Sequence, residues 1–416
     1  MNRLMLVLFS LITLFGCNDT INKNSLYGND AGVSTKTHSE HNTKGMSHKM
    51  NSFQSQESKI EAYAKVEKGL DFQFPKDHLP HGDYRLEWWY LTANLTTENG
   101  DDIGLQWTQF RVALSPNESH FDNAWQTKQL YFAHSGITGE YFHFSDEKWS
   151  REHAKFAGVT ANPFSVYLND WQWQSTTEYM FPATLSVSSS HVKPSKLNHS
   201  GLSDKASTKS TSKEYFSYQL KLDSSHPFYA QGDKGYSTKV RDGSVASYYY
   251  SQPFIDVNGM ININGKKQKV SGMAWLDREW SSQFLKNSQK GWDWFALRLD
   301  KNTTLMLFQL REANIHNSDQ YFYTANLMYA DGTSSAIDGN KINIKPIEFH
   351  QIRNTQYPIE WRIQIPSKQI DLHVSAINPD ALMDLSIKYW EGPVTFMGSH
   401  KGKGYMELTG YNDALL

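Results

Sequence analysis

Pro75-Lys76-Asp77-His78-Leu79-Pro80-His81-Gly82-Asp83-Tyr84-Arg85-Leu86-Glu87-Trp88-Trp89-Tyr90 is the stretch from which the rest of the chain can be read. It holds two histidines, three acids, one arginine and four aromatics, and runs on into Leu91-Thr92-Ala93-Asn94-Leu95. From Asp83 the residues alternate as in a strand. Tyr84, Leu86, Trp88 and Tyr90 share one face, and Arg85, Glu87 and Trp89 the other. An arginine and a glutamate two apart on one face can pair, with the neighbouring tryptophan keeping water away. If that face looks into a cavity, the pKa and contacts of Glu87 bear on function. If not, the pair is structural and closes the end of a barrel.

Composition points the same way. Thirteen Trp, twenty-two Tyr and twenty-two Phe in 416 residues, with few long helical patterns, favour an all-β protein with aromatic-lined interiors. The length suits two or three domains with sizeable cores. A formal net charge of −2 gives no sign of nucleic-acid binding. At the N-terminus, Arg3 precedes an apolar run from Leu4 to Phe15 that is too short to stay in a bilayer as a helix. The run ends Leu14-Phe15-Gly16-Cys17, which resembles a bacterial lipobox, and Cys17 is the single cysteine of the chain. Residues 1–17 are therefore expected to be a lipoprotein signal peptide, with lipidated Cys17 anchoring the mature protein. Asn18 rather than Asp places it at the outer membrane, facing the periplasm. Residues 18–58 are polar and read as a flexible tether, and His38, His41 and His48 within it are not taken as a metal tract.

A weak helical pattern over Lys59–Leu70 suggests a lid or plug before the first strand. Beyond it the chain reads as strands and turns. Glu98-Asn99-Gly100-Asp101-Asp102 is a hairpin signal, and the strand after it puts Leu105, Trp107, Gln109 and Arg111 on one face. Arg111 is thus a candidate partner for Glu87. His134 lies among aromatics in the next strand, where a histidine is ordinarily a satisfied core residue. A Ser/Lys/Thr-rich insertion from about His191 to Lys213 is a solvated loop. Tyr248-Tyr249-Tyr250 places hydroxyls on both faces of a strand, either as proton donors or at the wet edge of an interface. A second dense cluster follows, Val270-Ser271-Gly272-Met273-Ala274-Trp275-Leu276-Asp277-Arg278-Glu279-Trp280-Ser281-Ser282. Trp275, Asp277 and Glu279 share one face, with Leu276, Arg278 and Trp280 opposite. Two carboxylates on one face, about 7 Å apart along a strand, repel or share a counter-charge. They serve either acid–base chemistry or an ion-pair network.

These segments carry a family resemblance. D-H-x-x-H-x-x-Y-R-x-E-W-W-Y at 77–90 and G-x-A-W-x-D-x-E-W-S at 272–281 resemble signatures of the secreted AttH and carotenoid 1,2-hydratase family. So do Gly291-Trp292-Asp293-Trp294-Phe295, L-M-x-F-x-L-R at 305–311, Tyr389-Trp390-Glu391-Gly392 and G-x-G-Y-x-E-L-T-G-Y at 402–411. The matches run in order over about residues 70–413. The resemblance implies two consecutive lipocalin-like antiparallel β-barrels, assigned here to residues 59–245 and 246–416. It also favours a polar residue in the strand of His134.

No metal-ligand spacing, Walker A, dinucleotide-type GxGxxG or GxSxG elbow occurs, so neither a cofactor nor a metal is expected. What remains is an aromatic cavity with a few carboxylates, tyrosines and a histidine. The leading reading is an envelope lipoprotein that binds a hydrophobic, lipid- or isoprenoid-like molecule, with the membrane and an envelope ABC transporter as further partners. An alternative implied by the resemblance is a hydratase that adds water to an isolated C=C bond by acid catalysis. Asp277 would then be the acid, with Glu87, Tyr84 and His134 as supports or water-positioners. A pericyclase-like or isomerising enzyme is the third reading. Arg85, Trp88, Trp89, Tyr90, Arg111, Tyr249, Trp275, Glu279 and Trp280 are expected to line the ligand site.

Overall fold

Strand alternation around Glu87 sets the architecture of the computed structural model, which describes residues 62–116, 127–189, 193–194, 215–286, 288–312 and 321–411. In the strand Leu86–Thr97, odd-numbered Trp89, Leu91, Ala93 and Leu95 point into one hydrophobic core, and Trp88 and Tyr90 point away from it. The described residues form two antiparallel sheets, of fourteen and ten strands, each curled as a lipocalin-like barrel. The signal peptide, Cys17 and the tether lie outside the described residues. The helical pattern expected over Lys59–Leu70 does not form a helix in its described part. That segment runs as turns and extended chain, held where the Tyr63 hydroxyl donates to the Ala113 carbonyl at 3.0 Å.

The first sheet is built from two meanders joined by a pair of long strands. Leu86–Thr97, Asp102–Ala113, Gln129–Gly139 and Phe142–Arg151 run on one side, and the strands from Ala157–Ala161 to Phe216–Asp223 on the other. Ala246–Ile263 and Lys266–Ser281 bridge them, the second pairing with Leu86–Thr97 so that Tyr90 faces Asp277 and Trp88 faces Glu279. The two sequence clusters are therefore neighbouring strands of one sheet. The change of sheet falls between Ser281 and Gln289, not at the expected 245/246, because the long hairpin completes the first barrel.

Ala246–Ile263 contains a register shift between Gln252 and Ile255, around Pro253. Proline lacks the N–H that a ladder needs, so the strand bulges there. One extra residue inverts the facing. Tyr249 and Ser251 point away from the core, while Ile255 and Val257 point into it.

The second sheet runs from Gln289–Arg298 to Gly402–Leu408, and that last strand pairs with Gln289–Arg298 on one side and Lys388–Gly398 on the other. Its interior holds Phe295, Leu297, Leu305, Leu307, Trp361, Trp390, Met406 and Leu408. Each barrel is thus filled by its own apolar side chains. A third core packs the outer faces together, with Tyr90, Tyr249 and Trp275 of the first sheet against Trp294, Met306, Phe308 and Tyr405 of the second.

Candidate functional site

A cavity of about 750 Å³, its open mouth included, lies in this seam between the outer faces of the barrels. The first sheet supplies Trp88, Tyr90, Thr108, Phe110, Tyr249, Asp277 and Glu279, and Lys239 enters from just beyond the short strand Tyr236–Thr238. The second supplies Trp292, Trp294, Phe308, Leu310, Tyr389, Glu391 and Glu407, and Phe284 and Leu285 of the connection complete the wall. Aromatic faces dominate, and four carboxyl groups stand among them. Lys239 is the one cation lining the cavity among the described residues.

That cation is taken. Lys239 Nζ lies 2.6 Å from Glu279, which also accepts a hydrogen bond from the Ser247 hydroxyl. Three carboxyls are left without a positive partner, and burial of an unpaired carboxylate favours its protonated form. Glu391 and Glu407 sit directly opposite each other on paired strands, where two charges would repel. Burial, with Glu407 beside it, holds Glu391 well above the usual carboxylate range, tempered by the Tyr90 hydroxyl. Burial likewise pushes Glu407 up to about 8; the Trp292 ring N–H works against it, and Asp277 and Glu279 add to it. The pair therefore carries at least one proton at neutral pH.

Glu391 and Asp277 differ in how their oxygens are used. Tyr90 donates to Glu391 Oε1 at 2.6 Å, while Oε2, buried, has no hydrogen-bond partner among the described residues. Asp277 is fully engaged. Tyr249 donates to Oδ2 at 2.7 Å, and Ser251 and Trp275 Nε1 donate to Oδ1 at 2.5 and 2.7 Å. Burial raises Asp277 to about 7 against these three donors.

The structure divides the residues singled out in the sequence. Asp277, Glu279, Tyr249, Trp88 and Tyr90 line the cavity, and Trp275 stands beside it, bonded to Asp277. Glu87, Arg111, Trp89 and Trp280 do not, since all four point into the first barrel. Trp280 therefore does not enclose Asp277 as expected; its ring stacks on His81 at 3.8 Å. Glu87 accepts from Arg111 Nε, from Arg278 Nη2 at 2.7 Å and from the His81 backbone at 3.0 Å. Burial alone would raise Glu87, but the two guanidinium groups hold it well below the usual range. Arg111 also donates to the carbonyls of His81 and Tyr84, and Arg278 to that of Leu79, so the triad ties the 77–84 segment across the strand ends. Glu87 is ion-paired at the end of the barrel, but among the described residues its arginine partners are Arg111, the candidate named from the sequence, and Arg278, not the expected Arg85.

Arg85 and Tyr84 belong to that end of the barrel as well. Arg85 lies near Tyr63, and the Tyr84 hydroxyl bonds the Lys65 carbonyl at 3.5 Å. His134 is buried just behind the cavity wall, its Nδ1 3.0 Å from the Tyr389 hydroxyl. Tyr389, Glu391, Glu407, Lys239, Trp292 and Trp294 were not selected from the sequence as site residues. Among the described residues, no group of three or more His, Cys, Asp or Glu side chains is arranged to hold a metal ion.

A family model described as AttH-like matches residues 65–411. The crystal structure of a protein designated AttH from Nitrosomonas europaea superposes with a TM-score of 0.68 at 31% identity, covering 84% of this chain and 99% of that one. Kievitone hydratase from Nectria haematococca superposes with a TM-score of 0.55 at 14% identity, covering 84% and 96% of the two chains. Among curated proteins no sequence match is found.

Proposed function

The chain belongs to the AttH-like family, and from that premise we propose that it admits a small, largely apolar alkene to the seam cavity and adds water to it by acid catalysis. Glu391 carries this reading. It is a buried carboxyl held neutral, with one oxygen fixed by Tyr90 and the other unengaged, in a cavity walled by aromatic rings. A neutral carboxyl of this kind can protonate an isolated C=C bond. The faces of Trp88, Trp292 and Trp294 then attract the tertiary cation until water reaches it. A site built only to hold a lipid would gain nothing from three unpaired carboxyls, which cost stability when buried. The likeness to kievitone hydratase is one of fold, and it supports the reading only in that the fold accommodates a hydratase.

The test is incubation of the purified protein with isoprenoid alkenes of graded length, from geraniol to lycopene, in heavy-oxygen water. A product heavier by one labelled water is expected. Retention of an alkene with no product across the series would overturn the enzymatic reading in favour of a carrier.

Asp277, the acid chosen from the sequence, serves here to hold Tyr249 and the Trp275 ring in place. Its raised pKa has a definite sign. The folded state binds this proton more tightly than the unfolded chain, so stability falls as pH rises from about 4 towards about 7. Asp277→Asn removes that slope. The melting temperature of the variant relative to the parent is expected to climb across this window, and thermal scans at several pH values decide it. A gap that shrinks with pH would refute the assignment.

Lipid anchorage at Cys17 is part of the proposal, supported by Leu14-Phe15-Gly16-Cys17. Cys17→Ala is expected to leave the membrane fraction and to lose the lipidated N-terminal peptide in mass spectrometry. Unchanged fractionation and processing would count against the anchor.

A further inference from the structure

An acid that protonates an alkene needs a counterpart to take the proton released when water joins the cation. We propose that this counterpart is the hydroxyl of Tyr389, backed by His134 and Glu147, so that the three residues form the water-activating side of the site. The inference rests on the hydration reading above.

Tyr389 lines the cavity, and its hydroxyl oxygen lies 3.0 Å from Nδ1 of His134. The Gln106 side-chain amide donates to the same oxygen at 3.4 Å, and the proposed arrangement has the tyrosine's own proton facing the imidazole. His134 is fully buried, wedged against the rings of Phe110 and Phe132 and stacked near Tyr389. Its Nε2 has no hydrogen-bond partner among the described residues and points to Glu147, 3.9 Å away. Burial keeps His134 neutral, near 4, with Glu147 pulling the other way. Glu147 itself is fixed. It accepts from the Ser386 backbone at 3.0 Å, from the Ser386 hydroxyl and from Trp149 Nε1 at 3.1 Å, which together outweigh its burial and keep it ionised.

This order of groups specifies a tautomer, with Nδ1 accepting from Tyr389 and Nε2–H facing the carboxylate. A carboxylate behind an imidazole behind a hydroxyl is the arrangement that lets the hydroxyl hand its own proton to the imidazole, which frees its oxygen to take one from water. The steps balance. The Oε2–H bond of Glu391 breaks and a C–H bond forms with the alkene π pair, leaving a tertiary cation. Water oxygen bonds that cation, and its surplus proton passes to the Tyr389 oxygen as the tyrosine proton moves to Nδ1. The imidazolium so formed faces Glu147. Tyr389 and Glu391 line the same cavity, so the proton returns from His134 through Tyr389 and a water in the cavity to the Glu391 carboxylate. One water is consumed and no net proton. Tyr389 is the catalytic residue of this set, and His134 and Glu147 position it.

The experiment compares the parent with Tyr389→Phe, which keeps the ring and its packing, and with His134→Gln and Glu147→Gln. Each is incubated with the isoprenoid alkene series in deuterium oxide, and two readouts are followed, water addition and deuterium uptake into recovered alkene. Protonation and its reversal need only Glu391. Deuterium uptake is therefore expected to persist in Tyr389→Phe and His134→Gln, while water addition falls about 100-fold. Glu147→Gln is expected to fall less, and Glu147→Asp to recover part of the loss. Nitrogen NMR of the histidine rings gives a second arm, with His134 expected as the Nε2-protonated tautomer. Water addition at the parental rate in Tyr389→Phe, equal loss of both readouts in a folded variant, or an Nδ1-protonated His134 would each overturn the assignment. A parent that shows neither readout sinks the hydration reading, and this inference with it, which is a different result from a parent that hydrates and a Tyr389→Phe variant that does so equally well.

Discussion

Glu391→Gln is expected to abolish water addition, by at least about 100-fold, while the melting temperature holds or rises. The amide copies the shape of the carboxyl and still accepts the Tyr90 hydroxyl through its oxygen, but it has no acidic proton to give. It also ends the opposition of two acids at directly facing strand positions, Glu391 and Glu407. The sign of the stability effect follows from the raised pKa. A buried acid that holds its proton more tightly when folded takes stability away as pH rises above its unfolded value of about 4.3. The parent therefore suffers most at alkaline pH, and the gap in favour of the variant should widen from acid to alkaline conditions. Turnover assays and thermal scans on the same preparations test both halves. A variant that hydrates at the parental rate, or one that melts far below the parent at alkaline pH, would remove Glu391 from the role of acid.

Why Glu391 escaped selection while Asp277 did not is a matter of what alternation can report. Around Asp277 the sequence itself shows two acids two residues apart, and spacing on one strand is enough to place both on one face. Glu391 and Glu407 each stand as a lone acid in an apolar strand, Tyr389-Trp390-Glu391-Gly392-Pro393-Val394 and Tyr405-Met406-Glu407-Leu408. Nothing local says that the two strands pair, or in which register. Only the sheet order, with the last strand returning to the middle, brings the two acids opposite each other. The all-β class, the hairpin turns and the division of each charged cluster into two faces were legible because each depends on neighbours within a few residues. The Pro253 bulge was not read, although a proline in a long strand is a local signal for one. The site itself was harder to foresee. It lies outside both barrels, so the faces that look most barrel-like in sequence, those of Trp89 and Glu87, point away from it.

Glu87→Gln should show the opposite profile from Glu391→Gln, with a large loss of stability. Glu87 is the one carboxylate between two buried guanidinium groups, Arg111 and Arg278, with Arg278 lying 3.8 Å from the Trp89 ring centroid. Removing its charge leaves two cations in the protein interior, a change that costs about 3–5 kcal/mol when one partner of a buried pair is lost. In a chain of this size that is a fall in melting temperature on the order of 10 °C. The arginines also hold the carbonyls of Leu79, His81 and Tyr84, so the 77–84 segment should loosen and exchange its amide protons faster. The pH dependence fixes the mechanism. Because the folded-state pKa of Glu87 is depressed, its contribution is present above the unfolded value of about 4.3 and is lost as pH falls towards the folded one. The difference between parent and variant should therefore be largest near neutrality and shrink as the solution is acidified below about pH 4. A Glu87→Gln protein that melts with the parent at neutral pH but no longer turns over substrate would return Glu87 to the role of support or water-positioner that the family resemblance implies.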